Sequence, residues 1–207
     1  MSYQALSDQT IAKGIVRTLD QQEELPLLRD HLLRLDRESR HDRFHGFLDD
    51  NFIERYAAKC ASDGTAIIAY FEDGVVRGAA ELHPPDQSTD SAPEIAFSVE
   101  TAFRRRGVGT RLFRELITEA HRRGYRILRI TTGVHNEAMR VLASKFGAHL
   151  NFCRGESTGT IDLTKQTQPK PVRPSHNVHL NVARAMLDLN RAYWRALFRM
   201  YGWRWAA

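Results

Sequence analysis

At 207 residues the chain has room for one domain with an appendage, or for two small ones, since domains typically run to ~100–150 residues. Two cysteines, Cys60 and Cys153, are too few for a disulfide framework, which suits a reducing cytosol; no run approaches the ~20 apolar residues of a membrane span, and Met1 to Gly14 lacks the apolar centre of a secretory signal. The net charge of +5 is lopsided, because seven Lys and Arg face a single Asp beyond Gln166; the first 165 residues are left at −1, so the basicity belongs to an appendage and does not argue for nucleic acid.

Residues Met1 to Gly14 are polar. Gly14 to Leu19 is a short strand candidate, and Gln21 to Leu35 reads as a helix with Leu25, Leu28, Leu32 and Leu35 on one face and Pro26 in its first turn. The stretch Asp36 to His45 is dense in charge. A second helix runs from Asp49 or Asp50 as N-cap through Phe52, Ile53, Tyr56 and Ala57 to about Cys60. Ala66 to Phe71 and Val75 to Leu82 form a hairpin about Asp73-Gly74. A proline-containing polar loop, His83 to Pro93, leads to the strand Glu94 to Val99. A helix starting near Gly109 shows Leu112, Phe113, Leu116, Ile117 and Ala120 at helical spacing and stops at Gly124. Ile127 to Thr132 alternates as a strand, Asn136 caps a helix through Phe146, and Ala148 to Phe152 and Thr158 to Leu163 are an antiparallel pair around Gly155. This order predicts an α/β (α+β) fold: a mixed, mainly antiparallel central sheet with helices on both faces.

Beyond residue 165 the composition changes. Residues 166–177 are a proline-spaced linker, and residues 178–207 form a basic, aromatic, amphipathic C-terminal helix with Trp194, Trp203 and Trp205 near its end. Two uses fit that helix. One is docking on its own domain or on a second copy in a homodimer; the other is a peripheral contact with an anionic membrane surface.

The stretch around which the chain is organised follows Glu94 to Val99. Arg104, Arg105 and Arg106 precede Gly107, Val108, Gly109 and Thr110 at a helix start. Glycines there let a ligand approach the backbone, and the first helical amides, lacking intrahelical acceptors, point outward with partial positive charge. A pyrophosphate can settle on them. A dinucleotide fingerprint would need glycine near position 112, where Leu112 stands, and the Gly-Lys-Ser/Thr of a P-loop is absent. The residue-level alternative is a glycine-rich turn without a ligand.

Arg104-x-x-Gly107-x-Gly109 between a strand and a helix resembles the acyl-CoA pyrophosphate motif of the GNAT superfamily of N-acyltransferases. The run Asn136-Glu137-Ala138-Met139-Arg140-Val141-Leu142-Ala143-Ser144-Lys145-Phe146-Gly147-Ala148 is similar to that superfamily's second segment, one strand later. The charged stretch Leu35 to Phe47 also looks like a segment preceding the acetyltransferase domain of Pat-type protein lysine acetyltransferases. The resemblance implies a GNAT-like domain over residues 1–165 and acetyl-CoA as co-substrate, with its pantetheine arm against Phe97, Ser98 and Val99. It places the pyrophosphate on Arg104 to Thr110 and the thiol end by Asn136 and Met139. Asn136 also serves as a plain N-cap.

Acyl transfer to an amine needs a group to take a proton, and a carboxylate beside an apolar cleft can do so. Glu94-Ile95-Ala96-Phe97 matches the Pat-like run that carries the proposed general base, which makes Glu94 that base and Glu81 the reserve. Where many relatives carry a tyrosine for the leaving thiolate, this chain has Ala143. His41 and His45 stand four apart without a third ligand, so no metal is expected. Cys153 reads as packing, and His83 and His135 lie on loops that can border the cleft. The expected activity is transfer of an acetyl group to a primary amine, a protein lysine or a small molecule, in a cytoplasmic protein. The alternative is a non-catalytic acyl-CoA sensor coupled to a membrane or partner through the C-terminal helix.

Overall fold

The computed structural model describes residues 14–21, 23–46, 48–85, 91–153 and 155–165. Residues 1–13, the proline-spaced linker and the C-terminal helix expected over 178–207 lie outside the described residues. Seven strands form one sheet in the order β1-β2-β3-β4-β5-β7-β6. They are β1 (Ile15–Thr18), β2 (Ala66–Glu72), β3 (Val75–His83), β4 (Glu94–Val99), β5 (Ile127–Gly133), β6 (His149–Cys153) and β7 (Glu156–Asp162). Every pairing is antiparallel except that of β4 with β5.

Among the described residues five α-helices cover the two faces: α1 (Leu25–Arg34), α2 (Arg37–Phe44), α3 (Asp50–Ser62), α4 (Val108–Arg122) and α5 (Glu137–Lys145). Strand alternation sorts the core accordingly. Ile68, Ala80, Leu82, Ile95, Leu128 and Ile130 pack with Leu112, Phe113 and Leu116 of α4 on one face. Ile67, Ala69, Phe71, Val76 and Ala79 pack with Leu28 and Leu32 of α1 and Ile53 of α3 on the other. Among the described residues no helix is long and apolar enough to cross a membrane.

Two differences from the expected elements have clear causes. Helix α1 begins at Leu25, with Pro26 in its first turn, where proline is tolerated because its missing N–H has no intrahelical partner anyway. The charged stretch folds as α2. Asp36 caps it by accepting from the Ser39 N–H at 2.7 Å, and its other oxygen accepts from the Thr101 hydroxyl at 2.5 Å. Those bonds, the Thr101 hydroxyl foremost, bring the Asp36 carboxyl down to about 2. The inner face of α2 is largely polar. Arg40 donates to the carbonyls of Leu33 and Leu35, and Arg43 is driven inward to a buried carboxylate, Glu81, at 2.8 Å. A helix held by such bonds leaves no apolar period to read.

Glu100, just past β4, ties this layer to the sheet. It accepts from Arg34 and Arg77 at 3.0 Å each and faces His31 Nδ1 at 3.3 Å. Burial works against the charge, but the bonds from His31, Arg34 and Arg77 outweigh it and hold Glu100 at about 2. A carboxyl depressed below its unfolded value stabilises the fold above that value and loses the contribution as pH falls through the folded one. Glu100 therefore contributes stability at neutral pH that is lost between about 4.5 and about 2 as the pH falls. Urea unfolding across that window is expected to show the gap in stability between wild type and Glu100→Gln closing as pH falls; a gap independent of pH contradicts the assignment.

Candidate active site

The parallel pair in the middle of the sheet is short. β4 and β5 are in register only at Glu94–Arg129 and Ile95–Ile130, although β4 continues to Val99 and β5 to Gly133. Beyond Ile95 the strands part. On its other edge β4 remains fully paired with β3, from His83–Glu94 to Gly78–Val99. The edge of Phe97, Ser98 and Val99 that faces β5 is thus a strand edge inside the sheet without a strand partner. Backbone N–H and C=O groups so placed need partners, and an extended chain carrying amides can supply them. Phe97 is braced from the α4 face by a ladder of rings: Phe97 stacks on Phe113 with centroids 4.8 Å apart, and Phe113 on Phe146 at 4.2 Å.

β4 leads through a 3-10 turn, Thr101–Phe103, into the glycine-rich loop and α4. Gly107 is the N-cap at φ +82°, a left-handed conformation that glycine adopts without penalty. It offers no side chain to the helix, so the amides of Val108, Gly109 and Thr110 have neither an intrahelical acceptor nor a side-chain cap. Arg105 is left-handed too, at φ 59°, and exposed. A Cβ on Gly109 would stand 3.1 Å from Leu142 Cδ2, so glycine there allows close packing of α4 on α5.

Not every arginine of the motif serves this loop with its side chain. Arg104 donates to the Val99 carbonyl (3.1 Å) and to Ser39 Oγ (2.6 Å), and Arg106 pairs with Glu72 at 2.8 Å. Both brace the loop from behind and leave the charge of the helix start and Arg105 facing outward. Val108 is buried in the core, so only its backbone is offered. Asn136 accepts from the Met139 N–H at 3.0 Å, the plain N-cap geometry, and Met139 packs against the same core. Ala143 is fully buried and has no hydroxyl to offer.

Glu94, Ala96 and Ser98 point to the face of α1, α2 and α3. Glu94 opens β4 beside the point of parting, is about one-third exposed, and is held by Arg129 at 2.8 Å. Its neighbour across β3 is His83, at the end of that strand rather than on a loop; His83 Nδ1 is 3.0 Å from Thr65 Oγ1, and its Nε2 is 3.2 Å from the Tyr56 hydroxyl. Tyr56 in turn hydrogen-bonds to Glu81. Glu81, the reserve base, is fully buried. Burial alone would raise its pKa, but the ion pair with Arg43 prevails and drives it far below the ordinary range, which leaves it no capacity to take a proton near neutrality. Its geometry makes it an anchor for α2.

Ser98 Oγ lies 2.9 Å from His31 Nε2, and His31 Nδ1 faces Glu100. The order of atoms is that of a nucleophile triad. Ser98 is nonetheless buried under α1, and Glu100 is engaged by two arginines, so the three groups brace α1 on β4. That α2 straddles this region was not readable from the residues, since its inner face is largely polar. It packs on both β4 and β5, and its C-terminal His45 reaches Glu156 of β7 at 3.6 Å. His135 is exposed on the turn before α5, and Cys153 ends β6. Among the described residues no three His, Cys, Asp or Glu gather in a way that could hold a metal ion.

The described fold is thus a mixed sheet that parts between two parallel strands, with a helix start lacking a side-chain cap beside the opening. Residues 30–148 match the model of the Acetyltransferase (GNAT) family, and the chain belongs to that family. Solved structures share the fold at low identity. The GNAT domain of Streptomyces lividans Pat superimposes with a TM-score of 0.61 at 19% identity, over 72% of this chain and 90% of that one. A putative acetyltransferase from Salmonella typhimurium, solved with acetyl-CoA, gives 0.54 at 19% identity, over 76% and 99%. The PaiA N-acetyltransferase of Thermoplasma acidophilum, solved with coenzyme A, gives 0.53 at 16% identity, over 72% and 98%. No significant match to the chain was found among curated proteins.

The left-handed N-cap gives a local test of the loop. Gly107→Ala is expected to lower the unfolding free energy by about 1 kcal/mol, the cost of a Cβ at positive φ. Gly133→Ala, at an open position in the left-handed region's absence, serves as the control and is expected to change little. Chemical denaturation measures both.

Proposed function

We propose that the protein moves an acetyl group from acetyl-CoA to a primary amine by direct attack in a ternary complex, with Glu94 as general base. The observation that carries this reading is the parting of β4 from β5 directly upstream of the uncapped start of α4. The pantetheine amides complete the free edge at Phe97, Ser98 and Val99, as an added strand would, and the pyrophosphate takes the amides of residues 107–110 with Arg105 beside it. Arg104 and Arg106 contribute by shaping the loop. Asn136 and Met139, at the start of α5, flank the thiol end. The ligands named for the Salmonella and Thermoplasma neighbours, acetyl-CoA and coenzyme A, support the choice of co-substrate.

The thioester then lies along β4 with its carbonyl near the point where the strands separate. The acceptor approaches from the face of α2, where Glu94 waits. An ammonium cannot attack, so Glu94 first takes its proton; the amine lone pair then adds to the carbonyl carbon. A backbone N–H of β4 beside the point of parting steadies the oxyanion, and the C–S bond breaks. With Ala143 in place of a hydroxyl, sulfur leaves as thiolate, tolerable for a group whose ordinary pKa is ~8.5. The acceptor is a protein lysine or a small amine. A second reading, an acyl-CoA sensor without turnover, draws support from the Glu94–Arg129 pair, since the carboxylate is already engaged at 2.8 Å.

Release of CoA thiol with a panel of amines and lysine peptides separates the two. Acetyl-CoA is expected to raise the melting temperature, as any ligand of the native state does. Glu94→Gln is expected to lower kcat by about 10²- to 10⁴-fold with the acetyl-CoA affinity unchanged. Binding without turnover on any amine favours the sensor, and no shift in melting temperature at saturating acetyl-CoA contradicts both.

A further inference from the structure

The opening between β4 and β5 has a narrow end and a wide end, and a side-chain contact spans the wide one. At the narrow end the two strands are still paired and Glu94 is tied to Arg129 at 2.8 Å. His83, opposite Glu94 on β3, is held there by Thr65 and Tyr56. At the wide end Gly133 of β5 lies opposite Glu156 of β7. On this face α2 lies across β4 and β5, fixed by the buried Arg43–Glu81 pair at 2.8 Å. Two residues later the chain turns at His45, whose φ is 55°, and His45 Nδ1 stands 3.6 Å from Glu156 Oε1. α2 therefore reaches over both parting strands and touches the next strand beyond them. That contact roofs the acceptor face at its wide end, and at 3.6 Å it leaves no room for a chain to pass between the two side chains.

Resting on the acetyl-transfer reading above, we propose that the His45–Glu156 contact selects the acceptor: it admits an amine on a slender, unbranched chain and holds back an amine carried close to a polypeptide main chain. The dimensions carry this. Gly133 lies four residues beyond Arg129, the register partner of Glu94, so the contact stands about 13 Å along β5 from the base. An acceptor entering at the wide end runs that distance beneath the roof. Lysine presents its ammonium on a four-carbon stem, about half as long, so its main chain would have to follow under the contact. An unbranched polyamine has only methylenes and amines behind the reacting nitrogen and passes beneath it. Thr131 and Thr158, opposite each other between the two levels, give the passage a polar floor. His45 and Glu156 thus determine specificity without touching the reacting atoms.

The test is kcat/KM for transfer to spermidine and to a decapeptide with one central lysine, measured with the full chain. The wild-type protein is expected to favour spermidine. His45→Gly removes the imidazole and keeps the left-handed backbone, which glycine adopts freely. Glu156→Ala opens the same contact from β7 and leaves α2 untouched. Each is expected to raise the ratio of kcat/KM for the peptide to that for spermidine about tenfold. A merely structural role would lower both rates together and leave the ratio where it was. A ratio unchanged in both variants, or a wild-type preference for the peptide, overturns the selection alone. Absence of any transfer by the wild-type protein to either amine overturns the selection together with the activity on which it rests.

Discussion

The structure depends on two neighbouring strands being held together at one end and apart at the other. β4 and β5 share only the Glu94–Arg129 and Ile95–Ile130 positions, and both are otherwise secured by strands on their far sides, β3 and β7. Closing the gap would satisfy more backbone bonds, so something must oppose it. On one face the stacked rings of Phe97, Phe113 and Phe146 fill the space between β4, α4 and the end of α5. On the other, α2 rests on both strands, and its polar underside is fixed by Arg40, Arg43 and the Asp36 cap. The opening is a packed feature with walls on both sides.

Charge is distributed along the opening in a way that suits its two ends. At the α4 end the helix start and Arg105 face outward, while Arg104 is tied to Ser39 Oγ and the Val99 carbonyl and Arg106 is paired with Glu72. That leaves enough positive character for a pyrophosphate without a crowd of like charges. At the opposite end Glu94 pairs with Arg129 at 2.8 Å, and Glu156 faces His45 at 3.6 Å.

Much of this was legible in the chain. The hairpin about Asp73-Gly74, the strand before the glycines and the strongly amphipathic α4 all follow from periodicity and turn chemistry, and the structure has them where the pattern puts them. α2 was not legible, because helices announce themselves by an apolar stripe and this one turns Ser39, Arg40 and Arg43 inward. The same blindness hid Arg43 and the place of His45, which take their meaning from contacts with Glu81 and Glu156, more than thirty residues away in sequence. Side-chain direction was also beyond the pattern. Three consecutive arginines read as one anion-binding cluster, yet alternate residues on a turn point to different sides, and two of them serve the scaffold.

Amide hydrogen exchange with and without coenzyme A tests the central claim most directly, since it reads the backbone groups themselves. Added protection concentrated at Phe97 to Val99 and at Gly107 to Thr110, with little change in β1 and β2, is the result the account predicts. Uniform exchange at those residues at saturating coenzyme A, or protection elsewhere alone, would contradict it.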